Sequence, residues 1–468
     1  MAVRRVSPLD AAWLLLESRE TPMHVGALFT FELPPDAPGD YLRDEVERMR
    51  LVRALPAPWS LRVVNAPFVG SRLPLMREDR DIDLDYHVRH SALPHPGGQR
   101  ELGVLVSRLH SNQLDMRRPL WEVHVIEGLE NRRFAFYMKI HHSLIDGVSG
   151  MRLIMRGFST DPLERGMAPF WTVPPGGSGR PKADVVGLGG QVSAIARAAG
   201  GSAAGLASLG RAGTELARAS LGDRSLQAPY RAPDSALGGH LGGQRRVATQ
   251  QYDLARIKAI SKVAGCSIND IVLLLSGTVL RRYLLEHARL PDRTLTAGIP
   301  VNLREANDQS AGGTAIGIMV AGLGTNIGDT AERLALIVES TAEAKRHLYK
   351  LPTSARAYYT LLVNGPWITG LIAGFGGRTP VPFNVAISNV PGPPDARYFN
   401  GARLEAVSPF SLLLHGNALN ITCVSYAGTF NIGLTGARDT LPHLQRMAVY
   451  MGEAIEEIET AVGSVQQP

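Results

Sequence analysis

The chain predicts an α/β architecture of two related domains, on three observations. Its 468 residues exceed what one ordinary hydrophobic core encloses. Strand-like stretches alternate with helical ones in both halves. Between the halves, over residues 173–245, composition shifts towards Gly, Ala, Ser and Pro. Gly176-Gly177-Ser178-Gly179 opens that stretch, and Gly238-Gly239-His240-Leu241-Gly242-Gly243 closes it. Such a tract reads as a linker, part helix and part loop, which leaves domains at 1–172 and 246–468. A hydrophobic content of 44% against 20% charged residues is that of a folded chain, not a disordered one.

Each expected element carries a local signal. Met23 to Leu33 reads as a strand, with Leu28, Phe29 and Phe31 in a β-favouring context. Leu42, Val46 and Met49 share one helical face. Arg133 to Ile140 is dense in the aromatic and apolar side chains of a strand. Val148, Met151, Ile154, Met155 and Phe158 then recur at helical spacing, so a helix begins near Gly147. In the second half, Ser267-Ile268-Asn269-Asp270 reads as a capping box ahead of a helix from Ile271 to Glu286. Strands are expected over Leu295 to Ile299, Ala315 to Ala321, Phe383 to Ser388, Leu419 to Tyr426 and Thr429 to Gly433. Ala427-Gly428 supplies a hairpin turn between the last two.

The most informative stretch is His141-His142-Ser143-Leu144-Ile145-Asp146-Gly147, which lies where a strand ends and a helix begins. A neutral imidazole held there can take the proton from a hydroxyl as its oxygen attacks a carbonyl. Gly147 would let the backbone turn sharply. Two other readings of these residues stay open: a satisfied, partly buried polar cluster, and a metal pair formed by His142 and Asp146 four residues apart. The second lacks further ligands at zinc spacing. No Gly-x-Ser-x-Gly occurs, so a serine nucleophile elbow is excluded.

His-His-x-x-x-Asp-Gly resembles the active-site motif of the acyl-CoA-dependent acyltransferase superfamily, which includes chloramphenicol acetyltransferase-like enzymes and peptide-synthetase condensation domains. Three further stretches are similar to one branch of it, the bacterial wax ester synthase/diacylglycerol acyltransferases. These are Pro119-Leu120-Trp121, Asn384-Val385-Ala386-Ile387-Ser388-Asn389-Val390-Pro391-Gly392-Pro393, and the opening Ser7-Pro8-Leu9-Asp10, Glu17 and Pro22-Met23-His24-Val25-Gly26. The resemblance implies two chloramphenicol acetyltransferase-like domains with mixed sheets and the His motif at their interface. It implies transfer of a long-chain acyl group from coenzyme A to a fatty alcohol or diacylglycerol, giving wax ester or triacylglycerol. Acyl-CoA is then a co-substrate, and no bound cofactor or metal is expected.

On that resemblance His142 is the general base in a ternary complex, with His141 orienting it. Asn269 is the polar group expected at the oxyanion or substrate hydroxyl, with an ordinary first-turn residue as the alternative. Asp146, Gly147 and Arg304 are assigned structural roles, Asp146 as a buried carboxylate paired with an Arg. Ser388 and Asn389 are expected to line the substrate site, with shaping of a Pro/Gly loop as the alternative. Trp121 and Glu17 stand with them as substrate-binding candidates, but packing beneath the site is the favoured reading of Trp121 and an exposed helix position the default for Glu17. The imidazolium would return its proton to the coenzyme A thiolate. Cys266 and Cys423 have no His in an obvious local pairing, which weakens a covalent thiol route.

Two cysteines fit a reduced, cytoplasmic protein, and nothing at the amino terminus resembles a signal peptide. A formal charge of +6 and a pI near 9.4 favour anionic surfaces: phospholipid head groups or the phosphates of coenzyme A. No clustered Lys/Arg interleaved with aromatics points to nucleic acid. Ala357 to Gly377 carries no charge and is long enough to span a bilayer, yet Asn364, Pro366 and its glycines dilute it. A buried helix pair, or the wall of an acyl tunnel, is the better reading, with contact to membranes or lipid inclusions peripheral. A condensation-type transferase with a carrier-bound donor and an amine acceptor, and a non-catalytic lipid-surface protein, are the competing functions.

Overall fold

The computed structural model describes residues 3–6, 8–64, 74–145, 147–173, 214, 226–302, 316–351 and 353–464. Asp146, Arg304 and most of the expected linker lie outside the described residues. The strands are β1 Val3–Arg5, β2 His24–Glu32, β3 Leu61–Val64, β4 Leu75–Glu78, β5 Val88–Ala92, β6 Trp121–Leu129 and β7 Arg133–His141 in the first half. The second half adds β8 Arg245–Asp253, β9 Thr296–Asn302, β10 Ile316–Gly322, β11 Val385–Pro391, β12 Tyr398–Phe399, β13 Ala402–Phe410, β14 Leu419–Tyr426 and β15 Thr429–Ala437. The helices are α1 Pro8–Leu16, α2 Tyr41–Arg50, α3 Leu84–His87, α4 Gln99–Ser111 and α5 Gly147–Met155. They continue with α6 Leu254–Val263, α7 Ile268–His287, α8 Thr330–Tyr349, α9 Thr353–Ile372 and α10 Leu444–Ser464.

Two six-stranded mixed sheets carry the fold. The first has the order β12-β13-β2-β7-β6-β5, with β5 parallel to β6; the second has β10-β9-β11-β14-β15-β8, with β11 parallel to both neighbours. A third, small sheet is β1-β4-β3. The expected strands in the second half all form, and the capping box forms as read: Ser267 Oγ accepts from the Asp270 N–H while the Asp270 carboxylate accepts from the Ser267 N–H. That cap starts α7, whose Ile271 to Leu284 stretch is largely buried in the core of the second sheet.

The two sheets are not built from two contiguous halves of the chain. β12 and β13, from the expected second domain, pair into the first sheet along β2, from Arg403 opposite Glu32 to Phe410 opposite Gly26. The stretch hides from a period-based reading because Pro409 and a bulge after Leu404 interrupt its alternation. Where this strand passes the second sheet, a β-carbon on Gly433 would lie 1.7 Å from the Pro409 carbonyl oxygen, so only glycine permits the approach. In return α4 of the first half covers the open edge of β8. Its Ser111 and Ser107 hydroxyls accept from the Arg245 and Val247 N–H groups, at 2.8 and 3.0 Å.

Between these crossing elements lie neutral, buried histidines. His110 Nδ1 accepts from the Tyr137 hydroxyl at 2.8 Å, and its Nε2–H donates to the Ser411 carbonyl at 3.1 Å. Burial lowers the His110 pKa to about 3. His24, whose Nε2 is 3.0 Å from the His110 carbonyl, is held well below the ordinary histidine value by burial and by the neighbouring His110.

The charge-free segment Ala357 to Gly377 begins within one helix, α9, rather than a helix pair. Pro366 lies inside it, and the Tyr230 hydroxyl occupies the weakened ladder, donating to the Val363 carbonyl at 2.6 Å and accepting from the Trp367 N–H at 3.2 Å. Among the described residues no single helix is long and apolar enough to cross a membrane. The bent pair α6 and α7 passes such a test by length and composition, but α7 is the core helix above.

Folded His110 takes no proton until about pH 3, whereas an unfolded histidine binds one below about pH 6.5. Stability therefore falls as pH drops from about 6.5 towards 3, by about 1.4 kcal/mol per pH unit for this group. Melting temperatures across that range should slope less steeply in His110→Gln than in the parent; equal slopes would show that His110 titrates freely.

Candidate active site

The His motif turn is fixed by the end of a strand pair. β2 runs antiparallel to β7 until His24 stands opposite His141. The chain then turns away, and the next backbone group is caught again: the His142 N–H donates to the Met23 carbonyl at 2.8 Å. The His141 N–H donates to the Leu120 carbonyl at 2.9 Å, so the Pro-Leu-Trp segment serves the site through its backbone.

His141 is buried and its proton is placed. Nδ1 accepts from the Ser143 N–H at 3.1 Å and lies 2.7 Å from the Ser143 hydroxyl. The neutral ring therefore carries its proton on Nε2, which lies 3.4 Å from Glu17 Oε2. Glu17 follows α1, and its side chain is buried. Oε2 also accepts from the Met23 N–H at 2.5 Å, and Oε1 accepts from Gln113 Nε2 at 2.9 Å. One carboxylate thus fastens both His141 and the peptide that holds His142. The Glu17 side chain is turned into the protein, in place of the exposed helix position expected by default.

His142 is half-buried, and the Trp13 indole packs on it with ring centroids 4.6 Å apart and planes tilted by 38°. Trp13 was missed in the sequence. Its spacing of four from Glu17 puts both on one face of a helix there, and that was the available signal. The helix α5 starts directly after the turn. Gly147 opens it without a left-handed φ, and a β-carbon there would meet open space, so the expected backbone requirement for glycine is not found. Trp121 packs in the core beneath the turn. It is fully buried between Trp59, His87 and Trp171, with its indole N–H on the Trp59 carbonyl at 2.8 Å.

Across the cleft, α5 packs beside β11, which carries Ser388 and Asn389. The Asn389 amide donates to Asn269 Oδ1 at 2.9 Å. The Ser388 hydroxyl donates to Thr422 Oγ1 at 3.0 Å, and Thr422 passes its own proton to Asn420 Oδ1 at 2.7 Å. Asn269, Ser388 and Asn389 line one small pocket, together with Lys345 and Met319. The structure thus brings together these three residues expected from separate motifs. Asp270, beside them, is a buried cap whose carboxylate also accepts from the Thr341 hydroxyl at 2.7 Å. The cysteines stand apart: burial, then Asp270, pushes the Cys266 thiol up to about 11, and burial raises Cys423 further still. Neither supplies a thiolate at neutral pH.

A second histidine cluster lies elsewhere. His240 and His415 stack at 4.0 Å, with their Nε2 atoms 3.6 and 3.8 Å from Glu20 Oε2. The distances resemble those of a metal site, but the chemistry does not. Leu241 N–H donates to His415 Nδ1 at 3.1 Å, which leaves the His415 proton on Nε2.

Two sheets from one chain, with a histidine turn at their junction, define a two-lobed acyltransferase of the chloramphenicol acetyltransferase type. The first condensation domain of the calcium-dependent antibiotic synthetase shares this fold, with a TM-score of 0.60 at 17% identity over 98% of this chain and 96% of that one. Residues 6–272 match the wax ester synthase/diacylglycerol acyltransferase catalytic domain and residues 312–459 match the WS/DGAT C-terminal domain; the chain belongs to this family of acyltransferases. A Mycobacterium tuberculosis protein provisionally named a diacylglycerol O-acyltransferase is 42% identical over 98% of each chain. The O-acyltransferase WSD of Acinetobacter baylyi is 36% identical over 98% of each. The wax ester synthase/diacylglycerol acyltransferase from Marinobacter aquaeolei VT8 superposes with a TM-score of 0.78, at 36% identity over 98% of this chain and 100% of that one.

Substitutions should separate base from positioning groups. His142→Ala should cost about a hundred- to ten-thousand-fold in turnover without lowering the melting temperature. Glu17→Gln keeps an acceptor for the Met23 N–H but loses the charge facing His141, so turnover should fall less than in His142→Ala, and the melting temperature should fall too. Full turnover in folded His142→Ala would remove it as the base.

Proposed function

We propose that this protein transfers a long-chain acyl group from acyl-CoA to the hydroxyl of a fatty alcohol or diacylglycerol, giving wax ester or triacylglycerol. The observation that carries this reading is the division of labour in the His pair. His141 is buried, its Nδ1 accepts from the Ser143 N–H, and its Nε2 faces the Glu17 carboxylate at 3.4 Å without a hydrogen bond. His142 is half-buried, held by its backbone on the Met23 carbonyl with an indole against its ring.

His142 takes the proton of the acceptor hydroxyl as that oxygen attacks the thioester carbonyl. Collapse of the tetrahedral intermediate breaks the C–S bond, and the imidazolium returns the same proton to the departing thiolate. No acyl-enzyme is needed, in keeping with the raised thiols. With its Oδ1 engaged by Asn389, Asn269 keeps an amide N–H₂ to donate to the developing oxyanion. The intermediate is then shared between an N-terminal base and a C-terminal donor, which requires both lobes.

The test is a product analysis with one acyl-CoA and a mixed panel of fatty alcohols, mono- and diacylglycerols and amines. Ester products from the hydroxyl acceptors are expected. Amide as the sole product would overturn the reading in favour of condensation chemistry.

The acceptors are scarcely soluble in water, so the protein should work against a lipid surface. The charge of +6 provides attraction to anionic lipid. Exposed Ile372 and Phe375, at and just beyond the end of α9, provide apolar contact. Sedimentation with anionic vesicles should weaken as salt rises, because the screening length shrinks from about 10 Å at 0.1 M to about 3 Å at 1 M. Equal, salt-independent binding to neutral and anionic vesicles would remove the electrostatic part.

A further inference from the structure

We infer that Trp13 is a positioning residue for His142, and that it keeps the chain an acyltransferase and not an acyl-CoA hydrolase. The inference rests on the acyl-transfer reading above and adds to it what decides between alcohol and water as acceptor. His141 and His142 are neighbours in the chain but turn to different partners: Glu17 faces His141, and Trp13 packs on His142. Those partners are four residues apart, Trp13 in α1 and Glu17 directly after it. One short stretch therefore addresses both rings. To His141 it offers a charge; to His142 it offers an apolar ring face, with centroids 4.6 Å apart.

At that separation the two rings are in direct contact, and no water molecule fits between them. The indole is itself half-buried and is held from behind. It packs on the buried cluster of Leu16, Met23, Trp367, Phe383 and Leu414, which Ile368 and Leu371 of α9 also join. α1 and α9 lie against each other, so the second half of the chain backs the ring that the first half presents. A water moved onto that side of His142 would trade hydrogen bonds for a ring face, which is a net cost.

Proton chemistry alone does not separate the acceptors. With either, His142 takes the O–H proton as the oxygen attacks the thioester carbonyl, the C–S bond breaks, and the imidazolium returns the proton to the departing thiolate. An alcohol gives ester and coenzyme A; water gives free fatty acid and coenzyme A. The difference lies in what can stand against the base. A fatty alcohol or diacylglycerol brings an apolar body that can lie along an indole, whereas water brings only hydrogen-bonding groups. The indole also limits rotation of the imidazole about its Cβ–Cγ bond, because the rings already touch.

The experiment gives the parent, Trp13→Ala and Trp13→Phe one long-chain acyl-CoA and one long-chain alcohol, and measures ester and free fatty acid together. Melting temperatures report folding. In Trp13→Ala the ratio of ester to free fatty acid should fall by about tenfold, the upper range of what one aromatic contact contributes. Trp13→Phe keeps a ring against His142, and its ratio should stay within about threefold of the parent. If Trp13 only supports the fold, both products decline together; an unchanged ratio in folded Trp13→Ala overturns the inference. A ratio in Trp13→Phe as low as in Trp13→Ala overturns it too, because the ring face is then not the cause. Should Trp13→Ala not fold, Trp13→Leu, which keeps apolar bulk without a ring, is read in the same way. Absence of ester from the parent with every alcohol would instead sink the acyl-transfer reading itself, so the two failures are distinct.

Discussion

Everything at the site depends on where the β2–β7 pairing stops. The ladder keeps both backbones engaged up to His24 and His141, and the histidine turn begins where that pairing ends. A turn at a strand end usually has freedom. Here the Glu17 carboxylate removes it, gathering the Met23 N–H, the Gln113 amide and the proton face of His141. Met23 then accepts from His142 through its carbonyl, so one buried charge controls the position of both rings. A carboxylate buried among hydrogen-bond donors is stable as an anion, whereas one stripped of a partner is costly. The arrangement is therefore rigid for a simple reason: each member loses its partner if another moves.

A second constraint sets the opposing wall. Because β13 belongs to the first sheet, and α4 seals the edge of β8, neither lobe is complete without chain from the other. Beneath β7 the buried Lys139 completes the tie. Its ammonium donates to the Leu109 and Asn112 carbonyls at 3.2 and 2.8 Å and lies 3.3 Å from Glu122. Burial alone would raise the Glu122 pKa, but the bond from His124 and the charges of Lys139 and Arg89 outweigh it, taking it to about 2. The pair adds little net stability over an apolar substitute, yet breaking it from one side is expensive, which favours one register of α4 under the sheet. That register places Ser107 and Ser111 under β8.

Local signals were legible in the sequence and long-range ones were not. The strand before the His turn, the helix after it and the capping box of α7 each arise from period or cap chemistry within a dozen residues. The motifs likewise marked Asn269, Ser388 and Asn389, which the fold gathers around one cavity. The exchange of β13 into the first sheet was illegible, because Pro409 and a bulge break its pattern and its partner lies hundreds of residues away. Glu17 shows a subtler limit. A residue's presence in a motif does not say which way its side chain points, and Glu17 turned inward. The Trp121 indole fills a pocket of rings, while the neighbouring Leu120 carbonyl holds the His turn.

Dryness links the core to the chemistry. In the proposed reaction a thioester in reach of an activated hydroxyl is equally in reach of activated water, so selectivity for a lipid acceptor would require that water be kept from His142. The Trp13 ring covers one side of His142, and behind it lies an apolar cluster of Leu16, Met23, Trp367, Phe383 and Leu414 drawn from both lobes. The polar groups of the β11 side are largely committed to one another: Asn389 to Asn269, and Ser388 to Thr422. The same indole that excludes water also faces the ring when it becomes an imidazolium, where an aromatic face is favourable to a cation. Desolvation opposes the charge and the π-face supports it. In the proposed mechanism the two effects oppose each other at a half-buried His142, whose ring carries the proton between oxygen and sulfur.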